Sequence, residues 1–298
     1  MGWGFSSNHD GGECARGFQE VLTNHPAADP LLPIRTRRAC GAGDGQACHR
    51  MLGRVTDAHD IVFRSDMTVE MVRHSASDAD VIFAARVSTQ GEQTLEGAAS
   101  GAEATERDKG LINYLMRDRH GSPFEHNSMT FYVQAPIFVF REFMRHRIAS
   151  YNEESGRYRE LRPVFYVPGP ERKLVQVGKP GAYEFEEGTA EQNELAVDEI
   201  KNACRQGYEA YIRMLEAGIA REVARAALPV SLYSSMYVTM NARSLMNFLS
   251  LRTTREGTHF PSFPQREIEM VAEKMEAFWE PLMPMTAESF NKNGRVAP

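Results

Sequence analysis

The sequence predicts an α+β fold: a single domain with a mostly antiparallel sheet flanked by helices. Three observations carry that reading. Helical and strand patterns are mixed without the regular β-α-β alternation of a parallel sheet. The clearest strand candidate, Ser128-Met129-Thr130-Phe131-Tyr132-Val133, is rich in aromatic and β-branched residues. At 298 residues, with 42% hydrophobic and 25% charged content, the chain has ordinary globular composition and ample length for a buried core.

Residues 1–55 differ from the rest. Gly, Pro, Arg and Cys are scattered there without helical or strand period, and the segment reads as a poorly ordered extension. Its Gly41-Ala42-Gly43-Asp44-Gly45 run lacks both the spacing and the preceding strand of a dinucleotide fingerprint. The domain is expected over 60–298. Ile61-Val62-Phe63 is a short strand candidate, followed by a helix carrying Val81, Ile82 and Ala85 inward and ending near Ser88. Gln90 to Thr105, rich in Gly, Ala, Ser and Glu, reads as a mobile loop. Helical period resumes from Leu111 to Met116, and His120-Gly121-Ser122-Pro123 marks a turn before the Ser128 strand.

Pro136 to Arg147 is helical in pattern, with Phe140, Phe143 and Met144 able to pack. Phe165-Tyr166-Val167-Pro168 is a short extended segment. The longest helix starts near Thr189, where Thr-Ala-Glu-Gln is a capping box, and Gly218 closes it. Leu195, Ile200, Cys204, Tyr208, Tyr211 and Leu215 form its apolar face, and core packing explains these aromatics. A short helix from Arg221 to Leu228 is stopped by Pro229 and presents Arg225. Ser231–Thr239 reads as a strand, Asn241–Arg252 as a helix, and Gln265–Trp279 as an amphipathic helix ended by Pro281.

Composition excludes several function classes. The formal net charge of -6 opposes a nucleic-acid binder, which needs a basic footprint. No apolar run is long enough to span a membrane, and no basic start followed by an apolar block suggests a signal peptide. A cytoplasmic enzyme is expected. Cys14, Cys40, Cys48 and Cys204 match no paired-ligand spacing, so reduced, unligated thiols and no metal are expected.

The stretch from Arg145 to Tyr158 stands apart. Between Arg141 and Arg162 there are six arginines against four glutamates, in an acidic chain. Such local positive charge suits a dedicated anion site, and the planar arginine fork offers paired donors to a phosphate. Asn152, Ser155 and Gly156 add small polar groups and a backbone that a ligand can approach. A solvated, dipole-compensating face is the alternative from residue types alone.

The string itself is more specific. Arg145-His146-Arg147, seven residues, then Ser155, with Asn152-Glu153 before the serine and Gly156-Arg157-Tyr158 after it, resembles the signature of flavin-dependent thymidylate synthases. Pro123-Phe124-Glu125-His126, Ala135-Pro136-Ile137-Phe138, the Arg225-x-x-Leu228-Pro229 step and Asn241-Ala242-Arg243-Ser244 resemble family blocks in family order, from about Asp60 to the C-terminus. The resemblance implies the family's fold, a homotetramer with active sites shared between subunits, and conversion of dUMP to dTMP. It implies FAD as cofactor, with NADPH and 5,10-methylenetetrahydrofolate as co-substrates.

By match to the family, Arg252 is implied as the catalytic arginine on the pyrimidine. Glu142, Arg145, Glu153, Ser155, Gly156, Arg157 and Arg225 are implied at the dUMP site, with Glu154 among them. Ser88, His126, Ser128, Arg145, His146, Arg147, Glu153, Asn241, Asn247 and His259 are implied at FAD. No cysteine nucleophile is implied, in agreement with Cys204 standing apart from every motif. Ser155 is read as a hydrogen-bonding ligand. Glu154 departs from the family's common apolar residue, and Thr253–Pro264 is longer than in compact members. A related pyrimidine-nucleotide hydroxymethylase, or a non-catalytic nucleotide-binding module, would use the same arginines.

Overall fold

The structure is a computed structural model that describes residues 60–95, 104–179 and 182–298. The chain divides into two units, residues 1–56 and 57–298, and the description below concerns the second. The extension expected over residues 1–55 lies outside the described residues.

The domain is built on a four-stranded antiparallel sheet in the order β2-β3-β8-β4. These strands are Thr68–Ser75 (β2), Ser128–Pro136 (β3), Ser150–Glu153 (β4) and Tyr233–Met240 (β8). The expected α+β class with a mostly antiparallel sheet is therefore correct. One face of β3 is sealed from solvent at Met129, Phe131, Val133 and Ala135, while on the other Ser128 is exposed and Tyr132 and Gln134 are half-buried. Its aromatic and β-branched content fits a strand with one face packed into the core. Outside this sheet, β1 (Val62–Arg64) pairs in parallel with β5 (Val164–Tyr166), and β6 (Val175–Lys179) pairs antiparallel with β7 (Ala182–Glu186).

Local chemistry places the helix starts. Ser77 and Asp80 form a reciprocal capping box for α1 (Asp78–Gln90), and Thr105 and Asp108 do the same for α2 (Glu106–Arg117). The expected Thr189–Gln192 box opens α4 (Ala190–Glu216). The expected helix at Pro136 is α3 (Ile137–Phe143), shorter than its periodicity suggests. Its last turn tightens, as Arg145 and His146 amides donate to the carbonyls of Glu142 and Phe143. The Tyr151 hydroxyl then lies 2.7 Å from the His146 carbonyl and 3.1 Å from that of Phe143, covering the helix end. Arg145–Arg147 thus stand in a turn.

α6 (Ala242–Arg252), α7 (Arg266–Trp279) and α8 (Pro284–Lys292) complete the main core, where Phe143 stacks on Phe248 at 4.5 Å between ring centroids. A second cluster joins Cys204, Tyr208 and Tyr211 of α4 to Leu161, Phe165 and Leu232. Leu195, read as part of that apolar face, is instead 62% exposed. The apolar stripe of α4 is buried only toward its C-terminal half, where α5 (Arg221–Ala224) and the following turn cover it.

Five elements were absent from the sequence reading, for identifiable reasons. β2 is an edge strand whose alternation breaks at a register shift between Met71 and Arg73. β6 and β7 form an exposed, charged hairpin. β4 falls inside the arginine motif, where polar side chains mask a strand completed by pairing with β8. α8 is capped from a distance: Asp78 accepts from the Met285 and Thr286 amides at 2.8 and 3.0 Å. The loop expected over 90–105 falls partly outside the described residues; Gln90 still belongs to α1, and Gly91–Gln93 form a 3-10 turn.

Candidate active site

The central side chain of the site is Arg252, the last residue of α6. Its Nη1 donates to Glu142 Oε2 at 2.8 Å and its Nε to His146 Nε2 at 3.0 Å. A longer 3.5 Å contact runs from Nη2 to the Glu142 carbonyl. Glu142 comes from α3, so two helices and the turn after one of them converge here. The arrangement follows from the stacked Phe143 and Phe248, which fix α3 against α6; Phe248 also meets the His146 ring edge-on at 4.9 Å.

Electrostatics are unusual at each partner. Burial, reinforced by the Arg252 charge, pushes the His146 imidazole down to about 4. The ring is neutral at physiological pH and accepts at Nε2. Burial raises the Glu142 carboxyl, with Arg252 opposing and Glu267 adding to the rise. Arg252 therefore sits against one carboxylate and a neutral ring, with guanidinium donors still uncommitted.

β4 carries the motif away from this cluster along the sheet edge. Ser150 pairs with Thr239 and Glu153 with Met236 of β8. The far end of β8 lies beside the start of β3, where Met240 pairs with Met129, and the Ala242 amide donates to Asn127 Oδ1 at 2.8 Å. His126, Ser128 and Asn241 are thereby gathered at the end of the sheet where β4 begins. His126 and Ser128 are exposed, and Asn241 caps α6 through the Ser244 amide at 2.9 Å. Arg145 and Arg147, both exposed, have no acidic partner among the described residues.

At the other end of β4, Glu153, Glu154 and Ser155 line a cleft of about 450 Å³ with Asn152, Arg159 and Arg162. Burial raises the Glu153 carboxyl and the neighbouring Glu154 adds to it, while a Ser234 hydrogen bond and the Arg225 charge act against it. Gly156 is buried beside Leu161 and Arg225: a Cβ there would meet Leu161 Cδ1 at 2.8 Å and Arg225 Cδ at 3.3 Å. Glycine is needed at this close approach. α4 secures the neighbouring chain, since the Leu161 amide donates to the Tyr211 hydroxyl at 3.1 Å. Arg157 pairs with Glu222 of α5 at 3.0 Å, and its backbone amide meets Ser155 Oγ at 3.3 Å.

The structure thus joins Glu142, His146 and Arg252 directly, and places Glu153–Gly156 next to Arg225. Ser88, Asn247 and His259, named from sequence, are bonded to neither group. Ser88 donates to the Ala85 carbonyl of its own helix at 2.9 Å. Asn247 is exposed on α6. His259 is exposed, with its amide on the Gly294 carbonyl at 2.9 Å and its ring against Phe260. Sequence reasoning left Tyr151, Arg159, Arg162, Tyr132 and Tyr237 without site roles. The available signal was their interleaving with the motif or their period-2 placement on β3 and β8.

Residues 70–285 match the model of a family described as thymidylate synthase complementing protein. A flavin-dependent thymidylate synthase from Streptomyces avermitilis is 69% identical over 237 residues, covering 79% of this chain and 95% of the relative. One from Tropheryma whipplei is 62% identical over 239 residues, covering 80% and 98%. The solved structure of a UMP/dUMP methylase, PolB, from Streptomyces cacaoi bound with 5-Br dUMP matches with a TM-score of 0.74 at 54% identity, covering 80% of this chain and 100% of that one. Motif, fold and relatives agree: the chain belongs to the flavin-dependent thymidylate synthase family.

Proposed function

We propose that this protein converts dUMP to dTMP, with 5,10-methylenetetrahydrofolate as carbon donor and NADPH as reductant through FAD. The observation that carries the reading is Arg252, held between the Glu142 carboxylate and the neutral His146 ring. A cation fixed in this way can face a pyrimidine and stabilise negative charge as its N3 proton leaves. Ser155 and the backbone around Gly156 orient the nucleotide, and Arg157 and Arg225 serve its phosphate.

The donor set fits a flavin dinucleotide. Arg145 and Arg147 present exposed guanidiniums without acidic partners among the described residues, His126 and Ser128 are exposed at the end of the sheet where β4 begins, and Asn247 is exposed on α6. Charged donors for the diphosphate and neutral donors for the ring edge are what such a ligand requires. His146, Glu153 and Asn241 complete the proposed set, with Ser88 and His259 at its margin. When bound, the flavin supplies hydride to the pyrimidine. Among the described residues a cysteine nucleophile has no support: Cys204 is buried at 3.2 Å from Ser231 Oγ, and burial raises its thiol.

We place the protein in the cytoplasm as a homotetramer with shared sites. Met144, Ile148 and Leu251 lie exposed along the segments that carry Arg145–Arg147 and Arg252, and they provide apolar surface for a neighbouring subunit. No described helix is long and apolar enough to cross a membrane.

The test is an absorbance spectrum of the purified protein, followed by dUMP turnover with NADPH and methylenetetrahydrofolate. The expected result is a flavin spectrum bleached by NADPH, together with a product carrying a methyl group by mass. A hydroxymethyl product would replace this reading with a hydroxymethylase. A protein that takes up no FAD would overturn it.

A further inference from the structure

The cleft beside β4 contains two arginines that the nucleotide reading above does not use. Arg159 and Arg162 line it together with Glu153, Glu154 and Ser155. Glu154 Oε1 lies 3.2 Å from Arg159 Nε, with the Glu154 side chain 14% exposed and that of Arg159 55% exposed. Pairing through Nε leaves the outer nitrogens of Arg159 available to a second anion. Arg162 has no acidic partner within ion-pair distance among the described residues. The Glu154 amide donates to the Ser235 carbonyl at 2.8 Å, so its carboxylate leaves Arg159 by side-chain rotation rather than by backbone movement.

We propose that Arg159 and Arg162 form a further anion subsite for the phosphate monoester of the nucleotide substrate, with Glu154 as an internal placeholder that the phosphate displaces. The inference rests on the nucleotide reading of this site. A phosphate monoester carries more charge than a carboxylate and offers three acceptor oxygens, so it can engage both guanidiniums where Glu154 engages one. It can also share them with Arg157 and Arg225. Glu154 competes at high effective concentration, because it is tethered to the same strand. Its presence keeps the cleft formally neutral, two carboxylates against two guanidiniums, before substrate arrives.

The experiment titrates the flavin-loaded protein with dUMP and, in parallel, with deoxyuridine, which lacks the phosphate. Arg159→Gln should weaken dUMP binding about tenfold, the scale of one charge-assisted hydrogen bond, and leave deoxyuridine within about twofold. Glu154→Gln should act in the opposite sense, tightening dUMP about threefold with deoxyuridine again unmoved. Equal effects on both ligands, or no effect on dUMP in either variant, would overturn the subsite. So would an effect confined to KM for NADPH or the folate, which would assign the arginines to a co-substrate. Wild-type protein that binds no dUMP would instead remove the nucleotide reading on which the inference stands.

Discussion

The Nε of Arg252 donates to Nε2 of His146 across 3.0 Å, and this contact requires an unprotonated ring nitrogen. The His146 pKa of about 4 is the energetic counterpart of that geometry, set first by burial and then by the Arg252 charge. An imidazolium here would lose its acceptor and face a guanidinium.

A pH dependence of stability follows. The folded-state pKa of His146 lies below its ordinary value, so between pH 6.5 and about 4 the unfolded chain binds a proton that the folded chain refuses. Stability from this group is present above that window and is lost as pH falls through it. His146→Gln keeps a neutral acceptor and removes the titration. Melting temperatures from pH 7.5 to 4 should fall less steeply for the variant than for wild type, and parallel curves would refute the assignment.

Arg252→Ala should reduce dTMP formation by about 100-fold or more, the scale of losing one fixed transition-state donor. Flavin absorbance should be retained. Arg252→Lys should recover little, because one ammonium cannot reproduce the fork between Glu142 and His146. Steady-state turnover beside the flavin spectrum separates loss of chemistry from loss of cofactor.

Gly156→Ala should act on the nucleotide. The added methyl would press on Leu161 and on the Arg225 stem at 2.8 and 3.3 Å, and the flexible arginine is the easier group to move. KM for dUMP should rise by about tenfold with a smaller change in kcat, and KM for NADPH should hold steady.

Tyr151→Phe should cost about 1–2 kcal/mol, because the carbonyls of His146 and Phe143 lose their shared donor in a half-buried setting. Urea denaturation measures the cost. Turnover should fall as well, since the same hydroxyl holds the turn that carries His146.

Arg145→Gln and Arg147→Gln should each weaken FAD retention about tenfold, as expected for loss of a charge-assisted contact to a diphosphate. Fluorescence titration of the flavin-stripped protein with FAD provides the comparison. Unchanged affinity in both would leave these exposed arginines to a different ligand.

Much of this molecule is legible in its sequence. The Thr189 capping box, the Asn241–Arg252 helix and the buried strand from Ser128 rest on local hydrogen bonds and side-chain period, which any reader of the chain can see. The arginine motif is equally local, as the spacing of seven residues between Arg147 and Ser155 announces it. Two of the missed elements are completed by partners far along the chain. β4 becomes a strand only against β8, and α8 takes its cap from Asp78.

The sequence by itself determined the fold class, the family and the identities of the charged groups, because those depend on residue type, order and short-range period. The tertiary structure alone decided which groups meet. It brought Arg252 to Glu142 and His146 across more than a hundred residues of chain, turned His146 into a neutral acceptor by burying it, and set Glu154 against Arg159 in the cleft. Proximity and burial set charge state, and neither is encoded at any single position.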